Sequence, residues 1–250
     1  MLKPLAIFLL TALSLPAISQ AGARRFTYVY EAIPAAPGTF EIENWITWKT
    51  ERQGDGRYRQ LDFRHEVEFG LTDRLQMAVY VADWSGRGGN SFESEGAVYN
   101  NSAVELLYGL TNPATSAIGS AIYGELQVGD RHVALEGKMI LQKNVGGWTF
   151  AYNASLEGEW KGLGLAERTG EFQQTAGVSY EISPRFLLGA ELLHEVEFPD
   201  FGRGGDNVVY AGPNVSVRAG NWWATTAALV QLTNTDEPDV QVRTIFGYSF

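Results

Sequence analysis

The stretch VQVRTIFGYSF, residues 240–250, alternates between two kinds of side chain through its last residue. One face carries Val242, Thr244, Phe246, Tyr248 and Phe250, and the other carries Gln241, Arg243, Gly247 and Ser249. A period of two residues predicts a β-strand with one apolar face. In water such a face needs a core behind it, and an open strand edge promotes aggregation. The rest of the sequence has to explain where this face is buried.

The N-terminal sequence predicts export from the cytoplasm. Residues 1–23 read MLKPLAIFLLTALSLPAISQAGA, with an early cation at Lys3, an apolar stretch from Leu5 to about Leu15, and small residues after it. This is the pattern of a cleaved signal peptide over residues 1–21, with cleavage after Ala23 as a second option. A membrane anchor is the alternative, but the apolar stretch is too short for a bilayer core of roughly 30 Å. We therefore expect an exported protein, which in a Gram-negative bacterium is periplasmic, outer-membrane or extracellular.

Composition narrows the class of protein further. The formal net charge of −10 argues against a nucleic-acid partner. The sequence has no cysteine, so burial and hydrogen bonds must stabilise an exported chain without disulfides. Gly (28), Trp (7), Tyr (11) and Phe (13) are plentiful, which suits strands, turns and an interfacial aromatic belt.

Twelve segments with a period of two residues follow residue 39, and no convincing helix appears. They are 39–50, 58–70, 75–84, 98–110, 118–128, 132–144, 147–160, 171–182, 186–198, 208–219, 222–233 and 240–250. Tight connections such as GLTDRL (70–75) alternate with longer polar ones such as ERQGDGR (51–57) and SGRGGNSFESEGA (85–97), with GDR (129–131) as a short exception. Alternation of short turns and long loops is typical of bacterial outer-membrane barrels.

The two faces of each segment differ in polarity along the whole segment. In 58–70, an apolar face alternates with a face that carries charge in mid-strand, as in FRHEVEF (63–69). A soluble sandwich would turn the charged face outward and a membrane barrel would turn it inward, so alternation alone leaves both open. The signal peptide, the alternation of short turns with long loops, and the aromatic residues at the strand ends favour the membrane barrel. We predict an all-β fold, a monomeric transmembrane antiparallel up-and-down barrel of twelve strands over 39–250. Residues 22–38 would form an extended N-terminal strap in the periplasm or lower lumen, set off by Pro34 and Pro37.

Three stretches resemble known outer-membrane proteins. VRTIFGYSF (242–250) resembles the C-terminal signal of outer-membrane barrels, and the resemblance implies that the barrel-assembly machinery recognises Phe246, Tyr248 and Phe250. PGTFEIENWITW (37–48) and FRHEVEFGLTDRLQMAVYV (63–81) are similar to the opening hairpin of barrels of the phenol-degradation MetA-pathway type. The resemblance implies a location in the outer membrane, in contact with lipid and lipopolysaccharide. It implies little about activity, because one fold hosts many functions.

The sequence gives little support for a catalytic, metal or cofactor site. We therefore expect that the protein is not an enzyme and binds no metal or cofactor. His65 and His194 lie in two copies of HEVEF, on the apolar face near strand ends. A lipid-modifying enzyme is the corresponding alternative, but GVSYE (177–181) departs from the Gly-x-Ser-x-Gly motif of a nucleophilic serine. A histidine and the glutamate three residues later face opposite sides of a strand, so neither HEVEF copy can close on one metal ion.

The face predicted to point inward carries most of the candidate functional residues, which are charged side chains. The candidate lumen-lining carboxylates are Glu41, Glu43, Glu66, Glu68, Glu105, Glu125, Glu136, Glu157, Glu159, Glu181, Glu191, Glu195 and Glu197. The candidate lumen cations are Lys49, Arg64, Lys138, Arg218 and Arg243. Buried charges must be paired or hydrated, so two interpretations stay open. One is a narrow, hydrated acidic channel for small solutes or cations. The other is a non-conducting structural or interaction barrel with a salt-bridged lumen.

Overall fold

The computed structural model describes residues 23–92 and 95–250, which form twelve strands joined in chain order. The strands are β1 (Phe40–Arg52), β2 (Asp55–Gly70), β3 (Leu75–Gly88), β4 (Gly96–Thr111), β5 (Gly119–Gly129), β6 (His132–Val145), β7 (Trp148–Lys161), β8 (Glu167–Ser183), β9 (Phe186–Pro199), β10 (Asn207–Ala219), β11 (Trp222–Gln231) and β12 (Pro238–Ser249). A 3₁₀ turn, Leu163–Leu165, precedes β8. Within 23–92 and 95–250, no helix is long and apolar enough to cross a membrane. The predicted signal peptide, 1–21, lies outside the described residues.

The sheet closes on itself as an antiparallel barrel, which confirms the predicted fold. Strand β12 pairs with β1 from Glu41↔Ser249 to Arg52↔Pro238, and the Phe250 N–H donates to the Phe40 carbonyl oxygen at 2.9 Å. Closure leaves β12 with neighbours on both sides and therefore no free edge. The β1 start, the β12 end and the short turns lie at one end of the barrel, here called the turn end. The opposite end is called the loop end.

The outer surface is the apolar face of the strands. Its exposed side chains include Leu135, Met139, Leu156 and Leu188. Aromatic side chains flank this band at both ends. Contacting pairs at the turn end are Phe40–Phe250, Trp148–Tyr180 and Trp222–Tyr248, and those at the loop end are Phe63–Trp84 and Trp160–Phe201. An apolar band between two aromatic girdles is typical of a barrel that crosses a membrane.

The loop end departs from the predicted boundaries. The sequence assigned 51–57 to a longer polar loop, and this assignment is wrong because strands β1 and β2 continue to Arg52 and from Asp55. Only Gln53 and Gly54 connect them, and Gly54 has a positive φ of 78°. Glycine adopts this conformation without steric cost, so the hairpin closes tightly.

A bulge in β3 reverses which residues face inward. Before it Ala78 and Tyr80 are buried, whereas after it Asp83 and Ser85 point into the barrel. The pairing with β4 shifts between Tyr80 and Asp83, and Val81 is 62% exposed. One extra residue in a strand shifts the alternation of its faces.

The interior is not lined by polar groups alone. Small inward side chains leave space along the wall, at Ala78, Ala103, Ala121, Ala134, Ala151 and Ala227. Residues 23–36, which precede β1, fill part of this space, and we call them the lumen segment. Within it, Phe26, Tyr28, Val29, Tyr30 and Ala32 are all buried.

Candidate functional site: the lumen and the segment inside it

The lumen segment is held by side chains of the barrel wall that bind its main chain. The Tyr30 N–H donates to Asn153 Oδ1 at 2.7 Å, and Asn153 Nδ2 donates to the Tyr30 carbonyl oxygen at 3.0 Å. The Glu191 carboxylate accepts from the N–H groups of Thr27 and Tyr28 at 2.8 and 2.6 Å. Buried main-chain groups must be paired, and here wall side chains replace the partner strand.

The contacts follow the circumference of the barrel in order. Wall donors and acceptors along the segment are Thr225 on β11, Ser216 and Asn214 on β10, Glu191 on β9, Asn153 on β7, Gln142 on β6 and Gln76 on β3. The last two accept from the N–H groups of Ala32 and Ala35 at 2.8 and 2.7 Å. The segment therefore runs around the inside of the barrel rather than along one strand. The sequence analysis left two locations open for this strap, the periplasm and the lower lumen. In the structure its described contacts are with side chains that point into the barrel.

The segment also carries its own ion pair. Arg25 Nη1 lies 2.5 Å from Glu31 Oε1, and the Arg25 N–H donates to Glu31 Oε2 at 3.0 Å. The Glu31 carboxylate raises the pKa of Arg25 above its ordinary value. This pair folds the charged part of the segment onto itself.

The neighbouring arginine instead contacts the wall. Arg24 Nε donates to both carboxylate oxygens of Glu43 at 3.1 and 3.0 Å, and its Nη2 lies 3.9 Å from Glu66 and from Glu68. The Arg24 guanidinium also stands 4.7 Å from the ring centres of Tyr30 and Trp45. One guanidinium thus meets several predicted lumen carboxylates of β1 and β2.

Two cavities lie on either side of the lumen segment. The loop-end cavity has a volume of about 910 Å³ and the turn-end cavity about 870 Å³. Tyr30 lines both of them, so the segment separates the two spaces. A solute that crosses the barrel has to pass this level.

The loop-end cavity is net acidic. Ten carboxylate side chains line it, against six lysines and arginines. Four of the six cations, Lys49, Arg52, Arg64 and Arg243, come from β1, β2 and β12. Six of the ten carboxylates come from strands β5 to β9: Glu125, Glu136, Glu157, Glu171, Glu195 and Glu197. The charges are therefore separated across the lumen.

Six glutamates stand in direct register on six consecutive strands. The cross-strand partners are Glu105↔Glu125, Glu125↔Glu136, Glu136↔Glu157, Glu157↔Glu171 and Glu171↔Glu197. We call this set the carboxylate row. Like charges directly opposite each other destabilise a sheet, with strands only about 4.8 Å apart. Such a row needs counter-charges or water.

The counter-charges are unevenly distributed along the row. Lys138 Nζ lies 3.1 Å from Glu136 Oε1, and the Tyr123 hydroxyl donates to Glu125. Glu157 and Glu171 accept only from amide donors in the described part of the chain, Gln127 and Gln173, each at 3.3 Å. Glu157 and Glu171 are therefore less directly compensated than Glu136, and mobile cations or protons can balance their charge.

The structure brings the predicted lumen residues to the inside of the barrel but divides them into groups. Glu41, Glu43, Glu66, Glu68, Glu105 and Glu191 are buried, and all of them except Glu41 lie against side chains or main-chain groups of the lumen segment. Glu181 and Arg218 line the turn-end cavity. Glu159 lies at the loop end, 2.9 Å from His132 Nε2 and 2.6 Å from Lys161 Nζ.

Several lumen residues were missed by the sequence analysis, and Asp83, Glu171 and Arg24 illustrate three different reasons. Asp83, which lies 3.2 Å from Arg64 Nη2, was missed because the β3 bulge shifts the alternation. Glu171 could have been found, because it lies an even number of residues before Glu181 on the same strand. Arg24 lies outside every alternating segment, and no pattern in the sequence indicates its contacts with the wall.

In the described part of the chain, His65 and His194 contact amide and indole side chains. His65 Nδ1 lies 2.8 Å from Asn44 Oδ1, and Trp84 Nε1 donates to His65 Nε2 at 3.2 Å. The two nitrogens of His194 lie 3.1 Å from the Gln174 and Asn207 side-chain oxygens. Over residues 23–92 and 95–250, no group of three or more His, Asp or Glu side chains is arranged to hold a metal ion.

Comparisons with known proteins agree with this architecture. Residues 18–239 match the model of DUF6662, described as a family of unknown function. The COG4313 outer membrane channel from Pseudomonas putida F1 superposes with a TM-score of 0.68, at 11% identity, over 90% of this chain and 100% of that chain. The NanC porin gives 0.55 at 10% identity over 84% and 98%.

The KdgM porin in complex with disordered oligogalacturonate gives a TM-score of 0.53 at 11% identity, over 85% of this chain and 99% of that chain. No curated protein sequence matches the chain. At these identities the likeness shows the fold, and it confirms the predicted resemblance to outer-membrane barrels.

Proposed function

The chain belongs to the DUF6662 family, and we propose that it is an outer-membrane channel for small cationic solutes, narrowed by its own lumen segment. The observation that carries the proposal is the pair of cavities, about 910 and 870 Å³, inside a closed barrel. Spaces of this size at both ends are what a conducting barrel needs and a salt-bridged structural barrel does not. The similar fold of the Pseudomonas putida channel supports the same class.

The charged side chains that line the loop-end cavity indicate the sign of the charge on the solute. Low-dielectric walls focus the field of the surplus carboxylates in the loop-end cavity and raise the local cation concentration. The KdgM porin was solved in complex with disordered oligogalacturonate, whose uronate groups are anionic. The acidic lining and the carboxylate row disfavour such an anion here, so the likeness in fold does not carry over that solute.

Reversal potentials of the purified protein in planar bilayers across a KCl gradient test the proposal. We expect a cation preference that weakens as salt screens the lumen. The double variant Glu195→Gln and Glu197→Gln, at the loop-end cavity, should lower that preference. The matched double variant Asp73→Asn and Glu167→Gln, whose residues line neither cavity, should not. Anion selectivity of the wild-type protein would contradict the proposal.

A non-conducting interaction barrel is the second candidate. It is favoured by one observation, the course of the lumen segment between the cavities, together with close lumen ion pairs such as Lys49–Asp62 at 3.1 Å. The same bilayer experiment separates the candidates, because this barrel would carry no current under any salt condition.

A further inference from the structure

The contacts of Arg24 define a recognition site on the barrel wall. Three carboxylates, Glu43, Glu66 and Glu68, surround its guanidinium, and the rings of Tyr30 and Trp45 stand 4.7 Å from it. We call these five residues the guanidinium cage. Carboxylates that accept forked N–H donors, combined with aromatic faces, are the groups that proteins use to bind guanidinium ions.

Arg24 does not donate hydrogen bonds to all three carboxylates of this cage. It donates hydrogen bonds to Glu43, but its Nη2 stays 3.9 Å from Glu66 and Glu68, beyond hydrogen-bonding distance. Neither oxygen of Glu66 has a hydrogen-bond partner among the described residues, although Glu66 is only 1% exposed. An unpaired buried carboxylate is costly, and here it is directed into the cage.

The way in which Arg24 is attached to the wall explains why its guanidinium does not reach Glu66 and Glu68. The Arg24 main chain is fixed by Ser216 Oγ and Thr225 Oγ1, which donate to its carbonyl oxygen at 2.9 and 2.6 Å. With its main chain held by β10 and β11 and its Nε bonded to Glu43 on β1, the guanidinium stands 3.9 Å from the β2 carboxylates. A free guanidinium has no such restraint and can approach carboxylates to about 2.8 Å.

A second cation in the lumen shows the same recognition pattern. Lys138 Nζ lies 4.3 and 4.4 Å from the ring centres of Tyr30 and Tyr123, and 3.1 Å from Glu136. Tyr30 thus stacks with a cation from the segment and a cation from the wall. The level of the lumen segment is chemically suited to organic cations.

We propose that the guanidinium cage binds solutes that carry a guanidinium group, and that Arg24 is a tethered occupant which such a solute displaces. The inference rests on the proposed channel function and specifies its solute class. Entry of the solute frees Arg24 from the wall, which loosens the segment at the level where it separates the two cavities.

Calorimetric titration of the full-length protein in detergent tests the cage directly. The probes are methylguanidinium chloride and tetramethylammonium chloride, which have the same charge but only the first of which has N–H donors. In Arg24→Ala we expect methylguanidinium to bind at least about ten-fold more tightly than in wild type, corresponding to about 1.4 kcal/mol. Tetramethylammonium should show no such gain.

Two further variants control for charge and for folding. Arg25→Ala removes the adjacent arginine, which pairs with Glu31 of its own segment, and should bind methylguanidinium as weakly as wild type. Arg24→Gln removes the charge but keeps two donors for Glu43, and replaces Arg24→Ala if that variant does not assemble. Equal gains in Arg24→Ala and Arg25→Ala would overturn the assignment of the cage.

Bilayer recordings connect the cage to conduction. In wild type, mixed-cation reversal potentials should place methylguanidinium ahead of tetramethylammonium, and this measurement requires no substitution. Equal permeability of the two probes, with normal potassium current, would overturn the solute class and leave the channel function intact. Absence of potassium current would overturn the channel function, and the calorimetric titration would then decide the cage by itself.

Discussion

Asn153 on β7 pairs with the main chain of Tyr30 in both directions, accepting its N–H at 2.7 Å and donating to its carbonyl oxygen at 3.0 Å. This is the pattern of a β-ladder with one strand replaced by a side chain. Thr175 Oγ1 donates to Asn153 Oδ1 at 3.1 Å and so fixes the orientation of the amide. Asn153 therefore holds the main chain of the segment through bonds that do not involve the side chain of Tyr30.

Replacing Asn153 by Leu, which is similar in size, should release the lumen segment. Both main-chain groups of Tyr30 would be buried without partners, at a cost of about 1–3 kcal/mol for each. If the segment opens independently of the barrel, the two costs together, about 2–6 kcal/mol, should raise amide hydrogen exchange of residues 23–36 by at least about 30-fold. Asn101→Leu is the control, because Asn101 bonds to Gln127 of the wall at 3.2 Å. Unchanged exchange in Asn153→Leu would contradict this role.

The inward faces could be predicted because alternation is a local property of each strand. Glu125 and Glu136, for example, fall on the charged face of their own segments and meet in register because the hairpin between them is short. Their arrangement in a row across six strands required only that the strands pair in order.

The lumen segment could not be placed by the same reasoning. Its partners are side chains 123 to 164 residues away in the case of Asn153 and Glu191. Its stretch RRFTYVYEAIPAAPG (24–38) has no sustained alternation that would indicate the surface it lies on. A hydrogen bond between the main chain of the segment and a distant side chain produces no periodic pattern, either in the segment or in the strand that carries the side chain.

A bulky side chain at Gly177 should displace the segment from the inside. A Cβ at this position would lie 2.6 Å from Cε1 of Phe26, whose ring is fully buried. Gly177→Leu should therefore move the Phe26 ring from the wall and raise single-channel conductance. Gly137→Leu on β6 is the matched control, since a Cβ there meets no atom within 4 Å. Equal conductance in the two variants would show that the segment does not limit the current.

The closing seam between β1 and β12 depends on aromatic contacts at the turn end. The Phe250 ring lies 5.0 Å from that of Phe40 and 4.7 Å from that of Tyr248. Phe250→Gln should lower the yield of folded barrel, measured as the heat-modifiable band on electrophoresis. Phe201→Gln changes an exposed loop-end aromatic in the same way and should have a smaller effect. A normal yield from Phe250→Gln would argue against a role in closure or assembly.

Single cysteines should report the orientation in the membrane. The native sequence has none, so labelling of an introduced thiol is unambiguous. In intact cells a membrane-impermeant maleimide should label Asp200→Cys at the loop end and not Asp73→Cys at the turn end, both of which are exposed. After permeabilisation both should react. Labelling of Asp73→Cys in intact cells would reverse the orientation.

The carboxylate row should determine ion selectivity most strongly at Glu171. Its register partners are Glu157 on β7 and Glu197 on β9, so three carboxylates face one another across adjacent strands. Its described hydrogen-bond partner is the neutral amide of Gln173, at 3.3 Å, rather than a cation. Glu171 therefore lies where negative charge is least compensated.

Glu171→Lys should both remove a carboxylate and place an ammonium between two others. The new charge neutralises its neighbours, so the reversal potential in a KCl gradient should shift strongly towards the anion side. The shift should be largest at low ionic strength, where the Debye length is about 30 Å at 0.01 M, and should shrink at about 1 M. Glu167→Lys makes the same change on the same strand outside the cavity lining and should leave selectivity nearly unchanged. Equal shifts from the two variants would mean that net charge alone, and not the row, controls the current.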